Sequence, residues 1–243
     1  MSILLTTIAH RPYVFAFLIS FLVIGFLNRG LGRTLLFLAL GFSIAFLSEV
    51  SSIRNGFPYG MYVYVYENMK GEAMLWGVPL WDSLSYSFLA YAAYEYAAFY
   101  LPRAPSLIRR GWGGGVLAAI LMVLLDVATD PLAVRGSRWF LGHIFYYPNG
   151  GAYFGVPLTN FGGWLLVALC IFGVYLALER RLFKNPPPLR APWLGPAFYW
   201  GILSFNLLIT FWIGEWTLGA AGLGLHLTSL AALSYLRRRR KES

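Results

Sequence analysis

This sequence predicts an all-α, polytopic membrane bundle of about seven transmembrane helices, and three observations predict it. First, 58% of the 243 residues are hydrophobic and only 12% are charged, which is not the composition of a soluble domain. Second, seven apolar stretches can be drawn, at 13–27, 34–50, 78–101, 112–127, 159–178, 196–213 and 216–236. Most approach the roughly 20 residues that cross a bilayer as a helix, and lipid offers backbone groups no partner outside a helix. Third, one pattern occurs twice. EVSSIRNGFPYG runs on to WGVPLWD, and DVATDPLAVRG runs on to YFGVPLTN. Glu49 to Gly77 is 28 residues and Asp126 to Gly155 is 29. Each unit reads as a helix ending in an acid, a folded loop, and a GVPL turn into the next helix. Units at about 34–101 and 112–178 therefore form a parallel repeat of helix pairs within one transmembrane domain, 1–243.

Taken in order, the first stretch is short and starts nearer His10. NRGLGR follows it, with no small-x-small cleavage site, so it is expected to be a retained helix rather than a signal. The second stretch ends at Glu49. The loop 51–77 is rich in Gly, Tyr, Trp and Phe, and loops of that length are often functional. Within it MYVYVYEN alternates like a strand; an open strand edge cannot face lipid, so it is interfacial or covered by protein. Pro79 and Pro157 are placed to start the third and fifth helices, since a first-turn proline lacks only an N–H that would be orphaned anyway. GWGGG at 111–115 lacks the preceding strand of a dinucleotide fingerprint and suits close helix packing. The fourth stretch ends near Asp126, with Asp130-Pro131 just beyond, and the second long loop covers 129–158. KNPPPLRAP is a stiff linker. Gly214-Glu215 makes a tight turn between the last two stretches, and RRRRKES closes the chain as a membrane-face anchor.

The net charge of +9 does not imply nucleic acid, because the basic residues cluster at segment ends, as anchors on anionic lipid do. With the N-terminus outside, the inner side holds Arg29, Arg33, Arg103, Arg109, Arg110, Arg180, Arg181, Lys184, Arg190 and 237–241, which is 14 of 19. Arg11, Arg54, Lys70, Arg135 and Arg138 lie outside. The positive-inside rule then predicts a multi-pass inner-membrane protein with a cytoplasmic C-terminus and both long loops outside.

Six of the ten acids fall inside or at the mouth of apolar segments: Glu49, Asp82, Glu95, Asp126, Asp130 and Glu215. Charge at membrane depth is costly, so such groups line a cavity, pair, or do chemistry. Superposing the repeats matches Glu49 with Asp126 and Asp82 nearly with Asn160; Arg54 and Arg135 fall at comparable loop positions. An acid in a first helical turn is favoured ionised, whereas one at a helix C-terminal end is favoured neutral. Asp126, one turn from Asp130, is thus the first candidate proton donor and Glu49 the second, with Asp82 and Asn160 orienting water or acid. Arg135 or Arg138 would spoil this by pairing with Asp126. Glu95, in AYAAYEYAAFY, is either bonded to a neighbouring helix or at a pocket floor. Tyr59, Tyr62, Tyr86, Tyr91 and Tyr153 crowd the loops and the third helix and suit a long apolar ligand or a carbocation; His143 is interfacial or part of the same site. One cysteine, Cys170, permits no disulfide within the chain. Three scattered histidines without Glu-x-x-His pairs, and no Gly-Lys phosphate loop, suggest no metal and no cofactor.

GFPYGMYVY at 56–64, GVPLWD at 77–82, DVATDP at 126–131 and YFGVPLTNFGGW at 153–164 together resemble the carotenoid biosynthesis membrane protein family that contains the carotenoid 1,2-hydratases of the CruF type. The likeness runs from about Glu49 to Leu178. It implies an integral-membrane, cofactor-independent hydro-lyase that adds water to the terminal double bond of an acyclic carotenoid end, such as that of gamma-carotene or lycopene. It also implies a long apolar carotenoid substrate and membrane lipid as partners, and association with other enzymes of that pathway. Two other readings stay open: a non-hydrating isomerase or cyclase-like enzyme, and a membrane lipid-binding or transport protein.

Overall fold

The computed structural model describes residues 2–101, 112–185 and 187–242, so Arg103, Arg109 and Arg110 lie outside the described residues. Among them are eight helices: α1 (Ile3–His10), α2 (Pro12–Arg29), α3 (Leu31–Asn55), α4 (Leu80–Tyr100), α5 (Trp112–Ala133), α6 (Leu158–Leu182), α7 (Leu194–Trp212) and α8 (Trp216–Glu242). The chain folds as a helical membrane bundle. Six helices, all but α1 and α4, are long and apolar enough to cross a membrane. The short α1 was not foreseen as a separate element; Arg11 breaks the helix before Pro12, which starts α2 at its first turn.

α4 owes its place to burial rather than to lipophilicity. Every residue from Tyr86 to Ala97 is buried, and α2, α3, α5 and α7 surround it. A helix enclosed by protein need not match lipid, so it tolerates Asp82, Glu95 and five tyrosines. The other close pairings are α5 with α6 and α3 with α6, the latter bringing the two repeat segments together.

α3 and α5 run past their predicted ends. α3 continues to Asn55 and stops at Gly56, whose left-handed backbone (φ 79°) lets its N–H reach Ser52 O. α5 passes through Asp130-Pro131 to Ala133. Glu49 and Asp126 therefore sit more than a turn inside their helices, where the macrodipole has faded. The helix-end argument for their protonation does not hold; burial and neighbouring groups must set it.

The repeat is visible in the backbone. Trp76-Gly77 and Phe154-Gly155 both take positive φ, 49° and 87° in the first unit and 49° and 91° in the second. Each turn folds the chain into a tight antiparallel contact: β2 (Met74–Leu75) with β3 (Val78–Pro79), and the bridge Tyr153–Val156. Pro79 and Pro157 are the N-caps of α4 and α6, so each helix begins one residue after the proline expected to start it. The two long loops share one face of the bundle, because β1 (Val63–Tyr64) pairs with β4 (Phe145–Tyr146) across them. The alternating MYVYVYEN stretch yields only this two-residue strand, and protein covers its Tyr64.

Gly163 on α6 shows how tightly the units interlock. A Cβ there would fall 2.6 Å from Pro58 O, a backbone atom of the other unit's loop. Gly163→Ala is expected to separate α6 from that loop and cost about 1–3 kcal/mol, as overpacking does. Thermal inactivation of the variant against the parent protein checks this; an unchanged midpoint contradicts the packing.

Candidate functional site

Beneath the paired loops lies a cavity of about 140 Å³. α2, α4, α5 and α7 form its walls, and α3, α6 and the two loops close its polar end. The repeat places the polar groups. Glu49 on α3 accepts a hydrogen bond from Ser83 Oγ at 2.7 Å. Asp126 on α5 accepts one from Asn160 Nδ2 at 2.9 Å. Donor and acceptor are 34 residues apart in both cases, so the three-dimensional counterpart of Asn160 is Ser83 rather than Asp82. The GVPL motifs align one residue out of step with this geometry, which on a helix rotates a side chain by ~100°. That rotation turns Asp82 towards the cavity.

Two carboxyl groups meet in the second unit. Asn160 Nδ2 also donates to Asp130 Oδ2 at 2.7 Å, so one amide bridges Asp126 and Asp130. They are one turn apart on α5, the spacing that puts both on one helix face. Tyr147 OH donates to the same Asp130 oxygen at 3.3 Å. Asp126 is fully buried and does not reach the cavity; Asp130 lines it. In the first unit Glu49 and Asp82 both line the cavity, and Tyr64 OH donates to Asp82 Oδ2 at 2.6 Å.

Aromatic rings complete the polar end. Tyr86 stacks on Trp164 with centroids 4.3 Å apart, and its OH donates to Trp164 O. Tyr59 and Tyr62 lean in from the first loop. Burial, then the charge of Glu49, pushes both phenols well above their ordinary range. Burial, then Asp130, does the same to Tyr147. These groups are neutral hydrogen-bond partners rather than bases.

Of the fourteen residues predicted for the site, the cavity gathers Glu49, Asp82, Asp130, Asn160, Tyr59, Tyr62 and Tyr86, with Asp126 directly behind. The others lie elsewhere. Glu95 sits toward the opposite end of α4, where Arg29 Nε donates to it at 2.5 Å and Asn28 at 3.3 Å, so of its two readings the structural one fits. Tyr91 packs edge-on to Phe37 and against Phe21 on that side. Arg54 is exposed. Tyr153 packs on Phe161 in its turn, away from the cavity. His143 is half-buried on the loop face, and its carbonyl accepts from Asn68.

Arg135 does not clamp Asp126. It bonds to Pro131 O, Phe154 O and Glu215, the last at 3.0 Å. Arg138 joins the same Glu215. Burial tends to raise that carboxyl, but the two arginines outweigh it and hold it below its ordinary range. The arginines that would have neutralised the buried acids are thus committed to tying the second loop to the α7–α8 turn.

One network escaped sequence reasoning. Glu72, in the first loop, is buried and accepts from Arg11 Nη2 at 2.9 Å and from Trp81 Nε1 at 2.6 Å. Arg11 lies 4.6 Å over the Trp81 ring. This fixes Trp81 as a cavity wall, and a lone Glu in a loop carries no pattern that announces such a role. Glu179 was missed likewise; it is buried and pairs with Arg33 at 2.8 Å.

Comparison with known proteins fits this picture. The chain is similar to a bisanhydrobacterioruberin hydratase from Haloarcula japonica, at 30% identity over 184 residues. The match covers 73% of this chain and 57% of the relative, so the chain spans little more than half of that protein's length. No solved structure matches it. Over residues 3–230 it matches the carotenoid biosynthesis proteins, a match that covers nearly the whole chain and makes it a member of that family.

Proposed function

We propose that this protein is a carotenoid hydratase, adding water to the terminal double bond of an acyclic carotenoid end such as that of lycopene or gamma-carotene. The observation that carries the reading is the Asp126–Asn160–Asp130 cluster opening onto an aromatic cavity that also holds Glu49 and Asp82. That the relative is a hydratase supports the same chemistry.

The terminal alkene has one carbon bearing two methyl groups and one bearing hydrogen. Protonating the second leaves a tertiary cation on the first, so the reaction needs a carboxylic acid held neutral beside the alkene. Two carboxyls bridged by one amide in a buried site cannot both ionise cheaply, and they share a proton. Asp130, facing the cavity, delivers it; Asp126, behind, is a positioning residue that keeps it available. The cation rests against Tyr86 and Trp164, whose ring faces attract positive charge. Water held at Glu49 and Asp82 attacks the cation and loses a proton to the carboxylates. The product is a tertiary alcohol, and returning the proton to the Asp pair closes the cycle. The sum is alkene plus water, so no redox partner is needed.

The position in the cell membrane, with the loop face outside and the C-terminus cytoplasmic, belongs to the same proposal. It rests on the 14-to-5 division of basic residues.

Expression in a host that makes lycopene tests the reaction. The expected product is lycopene heavier by one water, or by two if both ends react. An isomer of unchanged mass overturns hydration in favour of proton loss from the same cation.

A further inference from the structure

The acids occupy only one end of the cavity. From there the lining runs between α2 and α7 through Tyr13, Phe17, Phe88, Ile202 and Phe205. This arm carries no charge, and its rings are in mutual contact. Phe17 meets Phe88 at 5.6 Å and Phe205 edge-on at 5.4 Å. Tyr13 stacks on Phe205 at 5.3 Å.

The row does not stop at the cavity wall. Phe140, from the second loop, packs edge-on to Tyr13 at 5.4 Å and beside Phe205 at 6.2 Å, and it is 56% exposed. Tyr13, Phe17 and Phe205 are themselves only half-buried. Leu208, less than a turn on from Phe205 along α7, is an exposed apolar side chain. A continuous file of aromatic rings thus leads from the acids to the apolar exterior. Side chains line this file, and side chains that reach the surface change rotamer within nanoseconds.

We propose that the α2–α7 seam is a lateral port through which a long polyene enters end-first from the lipid, with Tyr13, Phe17 and Phe205 as its binding and specificity residues. This rests on the hydratase reading for the identity of the occupant. A rigid, flat polyene is matched by stacked ring faces. Its far portion stays in the bilayer, so the cavity need hold only the reacting end.

Reversible closure of the seam tests the port. In protein with Cys170→Ala, the substitutions Tyr13→Cys and Phe205→Cys are bridged by a short bis-thiosulfonate reagent. The protein is held in phosphatidylcholine vesicles loaded with lycopene. Uptake is followed by the pigment's induced circular dichroism, and turnover by product mass. Bridging is expected to lower both at least tenfold relative to the same protein unbridged, and a reductant to restore them. Unchanged uptake after bridging overturns the port while leaving hydration standing. Uptake that bridging blocks, with no water ever added, supports the port and overturns hydration. Absence of lycopene binding by the parent protein overturns both. If the double variant does not fold, Phe205→Trp, which narrows the seam, is expected to slow uptake several-fold; an unchanged rate counts against the port.

Discussion

Replacing Asp130 by Asn is expected to lower hydration by about 10²–10⁴-fold, the usual worth of a positioned general acid. The amide keeps the size and the bond to Tyr147 but carries no acidic proton. Asp126→Asn is expected to lower the rate less and to move the alkaline limb of the pH–rate profile, where the donor loses its proton, because it removes the partner with which Asp130 shares that proton. A purely structural role for Asp126 would lower the amount of folded protein and leave the profile in place. Glu49→Gln reports on the water-holding half of the cavity, and it too should slow turnover. The measurement is product mass per folded enzyme, with membrane protein levels matched. Near-normal turnover in the Asp130 variant removes the proposed donor and shifts attention to Glu49 and Asp82.

Glu95→Ala is expected to cost about 3–5 kcal/mol of stability, since it leaves the buried Arg29 without its carboxylate. Glu95 and Arg29 are both at most 2% exposed, so solvent offers no substitute. Asn28 also ties this pair to Ala191 O in the linker before α7. The loss should therefore appear as release of that linker to protease as well as earlier thermal inactivation. Turnover per folded molecule should stay near the parent value, because Glu95 lies outside the cavity. A variant that is stable but inactive would return Glu95 to the substrate site.

Composition and segment length were enough to establish a helical membrane bundle, because lipid restricts backbone to helices, and the doubled GVPL pattern marked two turns of like local conformation. Trp76-Gly77 and Phe154-Gly155 are the clearest case: the motif matched, and so did the backbone angles. The same motif identified Glu49, Asp126 and Asn160, and placed Asp82 close to its true surroundings. Only the tertiary structure decided which acids share a cavity and which are neutralised. Arg135 reaches Glu215 on the α7–α8 turn rather than Asp126, Arg29 claims Glu95, and Arg11 claims Glu72. Those partners come from distant segments, and pairing over such separations leaves no periodic trace in one chain. The one-residue offset that makes Ser83 the counterpart of Asn160, and frees Asp82 to face the cavity, was equally hidden. A motif records sequence position, whereas a helix converts one residue of slip into a rotation of ~100°.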